Sequence, residues 1–240
     1  MPAPFVLVEP EAVDGGVARL TDDALHHLRR VLRSSPGDDV DVSDGEGRVW
    51  GGTLGAGAEV TLTSEAIAVP EPAPRLHVLQ ALPKGRKLDD IVQMLVELGV
   101  ASVTPVTSER SVVRLDPDAR ERAHRRWSAV ARAAAAQARR AWAPRILPVT
   151  SLERVLESVA AGVVLHPAAP ERLRDVTSRM SPTPADVTLA VGPEGGWSDD
   201  EIARCAAAGL APARLGASVL RTEHAAFAAC AAIQLGLGTE

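Results

Sequence analysis

Leu189-Ala190-Val191-Gly192-Pro193-Glu194-Gly195-Gly196-Trp197-Ser198 is the stretch on which the reading of the fold turns. Its apolar start closes a run, residues 187–191, of the length of a buried strand. Three glycines within the next five residues let the backbone approach a ligand closely, and Pro193 stiffens the entry. Ser198-Asp199-Asp200-Glu201 then has the Ser-x-x-Glu form of a capping box, opening a helix that Gly209 can end. A strand that runs through a glycine-rich turn into a capped helix belongs to an α/β fold, where ligands bind beyond the carboxyl ends of the strands. A tight connection alone accounts for one or two of these glycines but not for Gly-Pro-Glu-Gly-Gly, so the segment is read as a ligand loop.

Outward from this loop the pattern repeats. Residues 76–82 read as a strand, and Leu88, Ile91, Val92, Leu95 and Leu98 then share one helical face with Gly99 as the stop. Residues 103–106 and 162–165 read as further strands, and the last helix spans 222–235. Alternating strands and helices predict a mainly parallel sheet. Upstream, Pro70, Pro72 and Pro74 block helix and sheet interior alike, and they divide the chain into a domain over 1–70 and a second over 75–240. The first holds short strands at 5–8, 40–42, 49–54 and 60–62, one helix at 22–32, and turns at Ser35-Pro36-Gly37-Asp38 and Asp44-Gly45-Glu46-Gly47. That pattern predicts a small β-barrel, because closure hides sheet edges.

Composition narrows the chemistry. The chain has 240 residues, 46% of them hydrophobic, enough for real cores, and a formal charge of -5. Tyrosine is absent, with two phenylalanines and four tryptophans, which argues against an RNA-binding sheet built on stacked aromatics. Cys205 and Cys230 fall on alanine-rich helical stretches and support neither a disulfide framework nor a zinc site. No signal-like or membrane-spanning run is present, so a soluble cytoplasmic protein is expected. The excess of arginine, 24 against two lysines, reads as genomic background. Charge is nevertheless uneven: residues 1–75 carry -7, 76–108 balance, 109–145 carry +6 and 146–240 carry -4. The positive segment, with Arg122, Arg125, Arg126, Arg132 and Arg140 spread around a long helix, suits a phosphate backbone. G-x-G-x-x-G after a strand, G-x-x-x-x-G-K-[ST] and H-E-x-x-H are all missing. His26-His27 lacks further ligands at metal spacing, and no metal is assigned.

A second constellation runs from Leu215 through Gly216, Ala217, Ser218, Val219, Leu220, Arg221, Thr222 and Glu223 to His224-Ala225, again a turn entering a helix. Arg221 and Glu223 sit where an apolar helix begins. Function and a simple preference of Glu223 for the helix N-terminus account for them about equally well by local physics.

Together the two constellations resemble the RsmE family of 16S ribosomal RNA uracil-N3 methyltransferases, in the SPOUT superfamily. The resemblance extends over almost the whole chain. It includes His26-His27-Leu28, Val31-Leu32-Arg33, Gly37-Asp38, Asp44-Gly45, Leu82-Pro83-Lys84-Gly85, Glu97-Leu98-Gly99-Val100, Thr104-Pro105, Ser108-Glu109-Arg110 and Gln137 with Arg140. Met94, Ala136 and His224 depart from the usual lysine, glutamate and threonine. The resemblance implies a PUA-like N-terminal β-barrel for RNA docking, followed by a SPOUT-type α/β methyltransferase domain with a trefoil knot. It implies S-adenosyl-L-methionine as cofactor, held by Leu165, His166, Gly192, Pro193, Glu194, Gly195, Gly196, Leu215, Gly216, Ser218, Val219 and Leu220. Arg221 would act on the uracil, with Glu223 orienting Arg221 or taking the proton. Arg33, Lys84, Arg110, Arg125, Arg126 and Arg140 are the expected RNA contacts. The implied substrate is uridine 1498 of 16S rRNA in the small ribosomal subunit, and the implied assembly is a homodimer. A SPOUT enzyme acting on tRNA, a small-molecule methyltransferase and a non-catalytic ribosome assembly factor are the competing readings.

Overall fold

The computed structural model describes residues 3–180 and 184–237. It divides into two compact units, Met1–Glu71 with Arg132–Ala143, and Pro72–Ala131 with Pro144–Glu240.

The first unit contains strands β1 (Phe5–Leu7), β2 (Val13–Asp14), β3 (Val17–Arg19), β4 (Asp39–Ser43), β5 (Arg48–Leu54), β6 (Glu59–Leu62) and β7 (Ile67–Ala68), with helix α1 (Asp22–His26) after β3. The sheet runs β1-β4-β5-β6-β3-β2, with β7 on β5. β1 and β4 pair in parallel, and the other ladders among the described residues of this unit are antiparallel. Val6, Val8, Ala18, Leu28, Val40, Val42, Leu54 and Val60 form its core. Thr21 caps α1 by accepting from the Ala24 N–H at 3.2 Å, but the expected helix over 22–32 is not uniform. It widens into a π-helical turn at His27–Val31. The strands β2 and β3, too short to show an alternating pattern, were not expected. Nor was the return of 132–143 to this unit, where Ser43 Oγ donates to the Ala141 carbonyl at 3.0 Å and Trp142 Nε1 to the Val69 carbonyl at 2.9 Å. Gly47 makes room for it: at φ 91°, a Cβ there would lie 2.5 Å from the Trp142 ring.

The second unit contains β8 (Arg75–Ala81), α2 (Lys87–Glu97), β9 (Ser102–Thr107), α3 (Pro117–Gln137), β10 (Arg145–Ile146), β11 (Thr150–Ser151), α4 (Leu152–Leu156), β12 (Gly162–Leu165), α5 (Leu173–Thr177), β13 (Asp186–Val191), α6 (Asp199–Ala207), β14 (Leu210–Ala213) and α7 (Thr222–Leu237); the last residues of α3 enter the first unit. Every ladder of its sheet is parallel, in the order β10-β9-β8-β13-β12-β14, with β11 also on β9. On α2 the expected Leu88, Ile91, Val92 and Leu95 are buried, and Gly99 ends the helix at φ 85°. Helices α4 and α6 cover Leu79, Ala81, Val106, Val164 and Ala190 on one sheet face. Helices α2 and α5 each pack against α7.

Two prolines inside strands are accommodated by which way their nitrogens face. The carbonyls of Ala101 and Val103 accept from Arg145 and Leu147, so by the strand period Pro105 faces the same side, in the gap between β10 and β11. The Ala213 carbonyl accepts from His166, which turns Pro212 away from β12 on the outer edge of the sheet. Pro212 is the reason β14 escaped the sequence reading.

Candidate functional site

The strands β12, β13 and β14 all end at one cavity of about 560 Å³. Its walls are the loop after β12, with Leu165 and His166, the loop Gly192, Pro193, Glu194, Gly195 and Gly196 after β13, and Leu215, Gly216, Ser218, Val219, Leu220 and Arg221 after β14. Every residue expected to hold the cofactor therefore lines one space. Crossing from β8 to β13 to β12 makes this the switch region of the sheet, where α/β folds place ligands.

Local sequence builds the glycine-rich wall. Ser198 Oγ accepts from the Glu201 N–H at 3.2 Å, and Glu201 returns a carboxylate oxygen to the Ser198 N–H at 2.9 Å. The second oxygen of buried Glu201 accepts from the Glu109 N–H at 2.8 Å. One carboxylate thus caps α6 and holds the neighbouring segment in place. Arg110 is then set to donate from Nη1 to the Gly195 carbonyl at 3.2 Å. A Cβ on Gly195 would crowd the Arg110 side chain at 3.2 Å, and Gly196 adopts φ 68°, the left-handed conformation that favours glycine.

A second set of contacts joins the two loops. Thr222 Oγ1 donates to the Gly192 carbonyl at 2.7 Å and accepts from Gln80 Nε2 at 3.0 Å. Lys87 Nζ lies 3.0 Å from Glu194 and 3.6 Å from Glu223. The Glu194 hydrogen bond, outweighing the opposing effect of burial, raises the Lys87 pKa. Burial opposes ionisation of Glu194, but hydrogen bonds from its own and the Lys84 backbone and from Lys87 hold its pKa below the usual value.

Arg221 lines the cavity, is exposed, and has no ion pair or side-chain hydrogen bond among the described residues. The expected pairing with Glu223 is absent: the Glu223 carboxylate faces Lys87 and lies outside the cavity lining. Residues two apart at a helix start point in different directions, which separates the two side chains.

The expected RNA contacts are dispersed. Arg33 lies on the first unit, while Lys84 is exposed and its backbone N–H donates to Glu194 at 3.2 Å. On α3, Arg125 pairs with Glu121, and Arg126 with Asp89 at 3.0 Å. Half-buried Arg140 has its pKa pushed down to about 10 by burial. Of these expected RNA contacts, Arg110 alone lines the cavity.

Lys87, Gln80 and Thr222 were missed by sequence reasoning. Lys87 meets a carboxylate 107 residues away, and Thr222 a carbonyl 30 away. Thr222 lies between Arg221 and Glu223, whose charges are the more visible signal in the sequence. The cavity itself suits the nucleoside end of S-adenosylmethionine. Leu165, Val191, Leu220 and Ala225 offer apolar surface, and the backbone of residues 215–220 makes no hydrogen bond among the described residues. A heterocycle with a polar edge needs both. A Cβ on Gly216 would meet nothing within 4 Å, which leaves that wall open to a close ligand.

The RNA methyltransferase domain family matches residues 70–234, and the RNA methyltransferase PUA domain family matches residues 20–60. The Ribosomal RNA small subunit methyltransferase E of Synechocystis sp. is 33% identical over 237 residues, 95% of this chain and 76% of that protein. Its namesake from Mycobacterium bovis is 35% identical over 229 residues, 91% of this chain and 86% of that protein. Among solved structures, a Legionella pneumophila methyltransferase in complex with the bound cofactor SAM has a TM-score of 0.89 at 28% identity over 100% of both chains. A Ribosomal RNA small subunit methyltransferase E from Neisseria gonorrhoeae bound to S-adenosyl methionine has a TM-score of 0.87 at 27% identity over 99% of both chains.

Proposed function

Since the chain belongs to the ribosomal RNA small subunit methyltransferase E family, we propose that it methylates N3 of uridine 1498 in 16S rRNA, using S-adenosyl-L-methionine. The observation that carries this reading is the cavity at the ends of β12, β13 and β14, with free Arg221 on its wall. S-adenosylmethionine supplies a methyl group already activated on a sulfonium. The protein's task is therefore mainly to position and to stabilise charge. The loops at Gly192 and Leu215 hold the nucleoside, and Thr222 keeps them together through the Gly192 carbonyl. Uracil N3 carries an imide proton, and its loss leaves negative charge on the ring carbonyls. Arg221, with no side-chain partner among the described residues, is the cation assigned to that charge. Glu223 is assigned to the start of α7 through Lys87 and not to orienting Arg221.

The RNA contacts proposed are Arg33, Lys84, Arg110, Arg125, Arg126 and Arg140. The exposed pairs of Arg125 and Arg126 are each worth only about 0–1 kcal/mol, so exchanging a carboxylate for a phosphate costs little. The proposal includes a knotted chain, a cytoplasmic location and a homodimer. No described helix is long and apolar enough to cross a membrane.

Small subunits from a strain lacking this gene, incubated with the protein and methyl-labelled cofactor, should acquire 3-methyluridine at 1498. No transfer, or transfer to tRNA instead, would overturn the reading. Arg221→Ala should retain cofactor affinity by calorimetry while kcat on subunits falls about a hundredfold, the usual scale for losing one charge-stabilising group. Undiminished kcat would remove Arg221 from the reaction.

A further inference from the structure

Two short stretches far apart in the sequence, Glu171-Arg172-Leu173-Arg174 and Ala213-Arg214-Leu215-Gly216, carry three arginines and one acid between them. The fold lays them side by side. Just beyond β14 the Arg214 N–H donates to the Glu171 carbonyl at 2.9 Å, and the Leu173 N–H donates to the Arg214 carbonyl at 2.8 Å. Arg172 and Arg214 are thereby register partners in a parallel bridge. Register partners send their side chains to the same face from backbones about 4.8 Å apart, and like charges so placed repel. Buried Leu173 fixes the first stretch to the core, so the backbone does not part to relieve the repulsion.

Nor do the neighbouring acids relieve it. Glu171 pairs with Arg179, and Asp175 with Arg174 Nε at 3.1 Å. Neither Arg172 nor Arg214 has an ion pair among the described residues. Arg214 is oriented by backbone instead, donating from Nη1 to the Ala169 carbonyl at 2.6 Å and to the Pro170 carbonyl. Arg172 takes the N-cap position of α5 without a capping hydrogen bond, so no local structural role accounts for an arginine there. Arg172, Arg174 and Arg214 line a second cavity of about 460 Å³ that has no acid on its wall. Leu215 and Gly216 line both this cavity and the one that suits S-adenosylmethionine. One short stretch of backbone therefore separates the two.

We propose that the second cavity binds a phosphate-bearing anion across Arg172, Arg174 and Arg214, and that its occupancy strengthens binding of S-adenosylmethionine on the other side of the shared loop. Guanidinium forks match phosphate oxygens, and an anion between Arg172 and Arg214 replaces repulsion by attraction. It would hold closed the bridge from which the 215–220 loop starts. The backbone of that loop makes no hydrogen bond among the described residues, so ordering it beforehand lowers the entropy that the cofactor must lose. The anion also offsets positive charge that opposes the sulfonium. A free polyphosphate and an RNA strand present the same phosphate chemistry, and the experiment separates them. The inference rests on the cofactor cavity and not on which base is methylated, so it stands or falls independently of uridine 1498.

Calorimetry on the whole protein tests it, with inorganic pyrophosphate as the probe and ionic strength held constant by chloride. Saturating pyrophosphate should tighten S-adenosylmethionine binding about fivefold or more, and saturating cofactor should tighten pyrophosphate binding by the same factor. Arg172→Ala with Arg174→Ala should leave cofactor affinity unchanged when no anion is present and should lose the gain. Arg172→Lys with Arg174→Lys should keep part of it. The Tm of the double-alanine variant without anion should hold or rise, because repulsion has been removed; a fall would assign these arginines to the fold and overturn the site. A gain with pyrophosphate assigns the site to a free polyphosphate, and a gain only with a short single-stranded RNA assigns it to a strand. A gain with neither, or an equal gain in the double-alanine variant, would overturn the site and leave the methyltransferase reading intact. If the coupling is present but no methyl reaches the small subunit, the function falls and the anion site stands.

Discussion

At Lys87 one ammonium faces two carboxylates, Glu194 from the glycine-rich loop and Glu223 from the start of α7. Removing the ammonium leaves those two acids adjacent, and the loops bearing them move apart. Lys87→Met should therefore raise the KM for S-adenosylmethionine about tenfold with a smaller change in kcat, and Lys87→Arg should restore most of it. An equal fall in kcat and kcat/KM would instead place Lys87 in the transition state. The pH dependence follows from the two shifts. Glu194, held below its usual pKa, stays ionised until well into acid, and Lys87, held above its own, stays protonated into strong base. The effect of Lys87→Met on cofactor affinity should therefore be the same at every pH from about 5 to 9, outside both ordinary titration ranges. At this scale the sequence showed the glycines and the charges but not their partners. Arg221 was legible as a charged residue opening an apolar helix; that Glu223 would turn from it to Lys87 was not, because α2 lies more than a hundred residues upstream.

The capping box of α6 and the first rung between β8 and β13 show how single elements hold the site. Ser198→Ala removes the oxygen that accepts from the Glu201 N–H and should cost about 1 kcal/mol, read as a lower urea midpoint at unchanged m. Cofactor affinity should also weaken, because Glu201 holds the segment bearing Arg110. At the other end of β13, Asp186 accepts from Arg75 Nε at 2.8 Å and Nη2 at 2.7 Å, beside His77. The Arg75 hydrogen bonds, with help from His77, lower the Asp186 pKa. A carboxyl with a depressed folded-state pKa stabilises the fold above its unfolded pKa, and the contribution is lost as pH falls through the folded value. Asp186→Asn should thus lower stability by about 1 kcal/mol at pH 7, discounted for partial exposure, and the gap should narrow as pH falls below the ordinary aspartate range. A gap that persists in acid would assign the loss to packing. Long amphipathic elements such as α2 and α6 were legible because their period and caps agree. The five-residue helices α4 and α5 carry too little pattern, and β14 is hidden by Pro212.

Over the whole molecule, formal charge of -5 conceals the +6 segment 109–145. Much of that segment is spent internally, on Glu9, Asp41, Asp89 and Glu121. Apolar side chains are exposed on and before α7, Val219 at 75% and Phe227 at 42%, and the proposed homodimer would cover such a surface. Sedimentation should give a dimer, and Phe227→Asp should shift it toward monomer; a monomeric unaltered protein would remove the dimer from the proposal. The sequence by itself determined the α/β class, the glycine loop, the capped helix after it and the second loop ending at Arg221, because each is written in contiguous residues whose period, glycines and caps act locally. Only the tertiary structure decided that three strand ends meet at one cavity, that 132–143 joins the first unit, and that Lys87, Gln80 and Thr222 tie the loops together. Those contacts join residues tens to more than a hundred positions apart, and no local pattern specifies which distant partner a buried hydrogen bond will find.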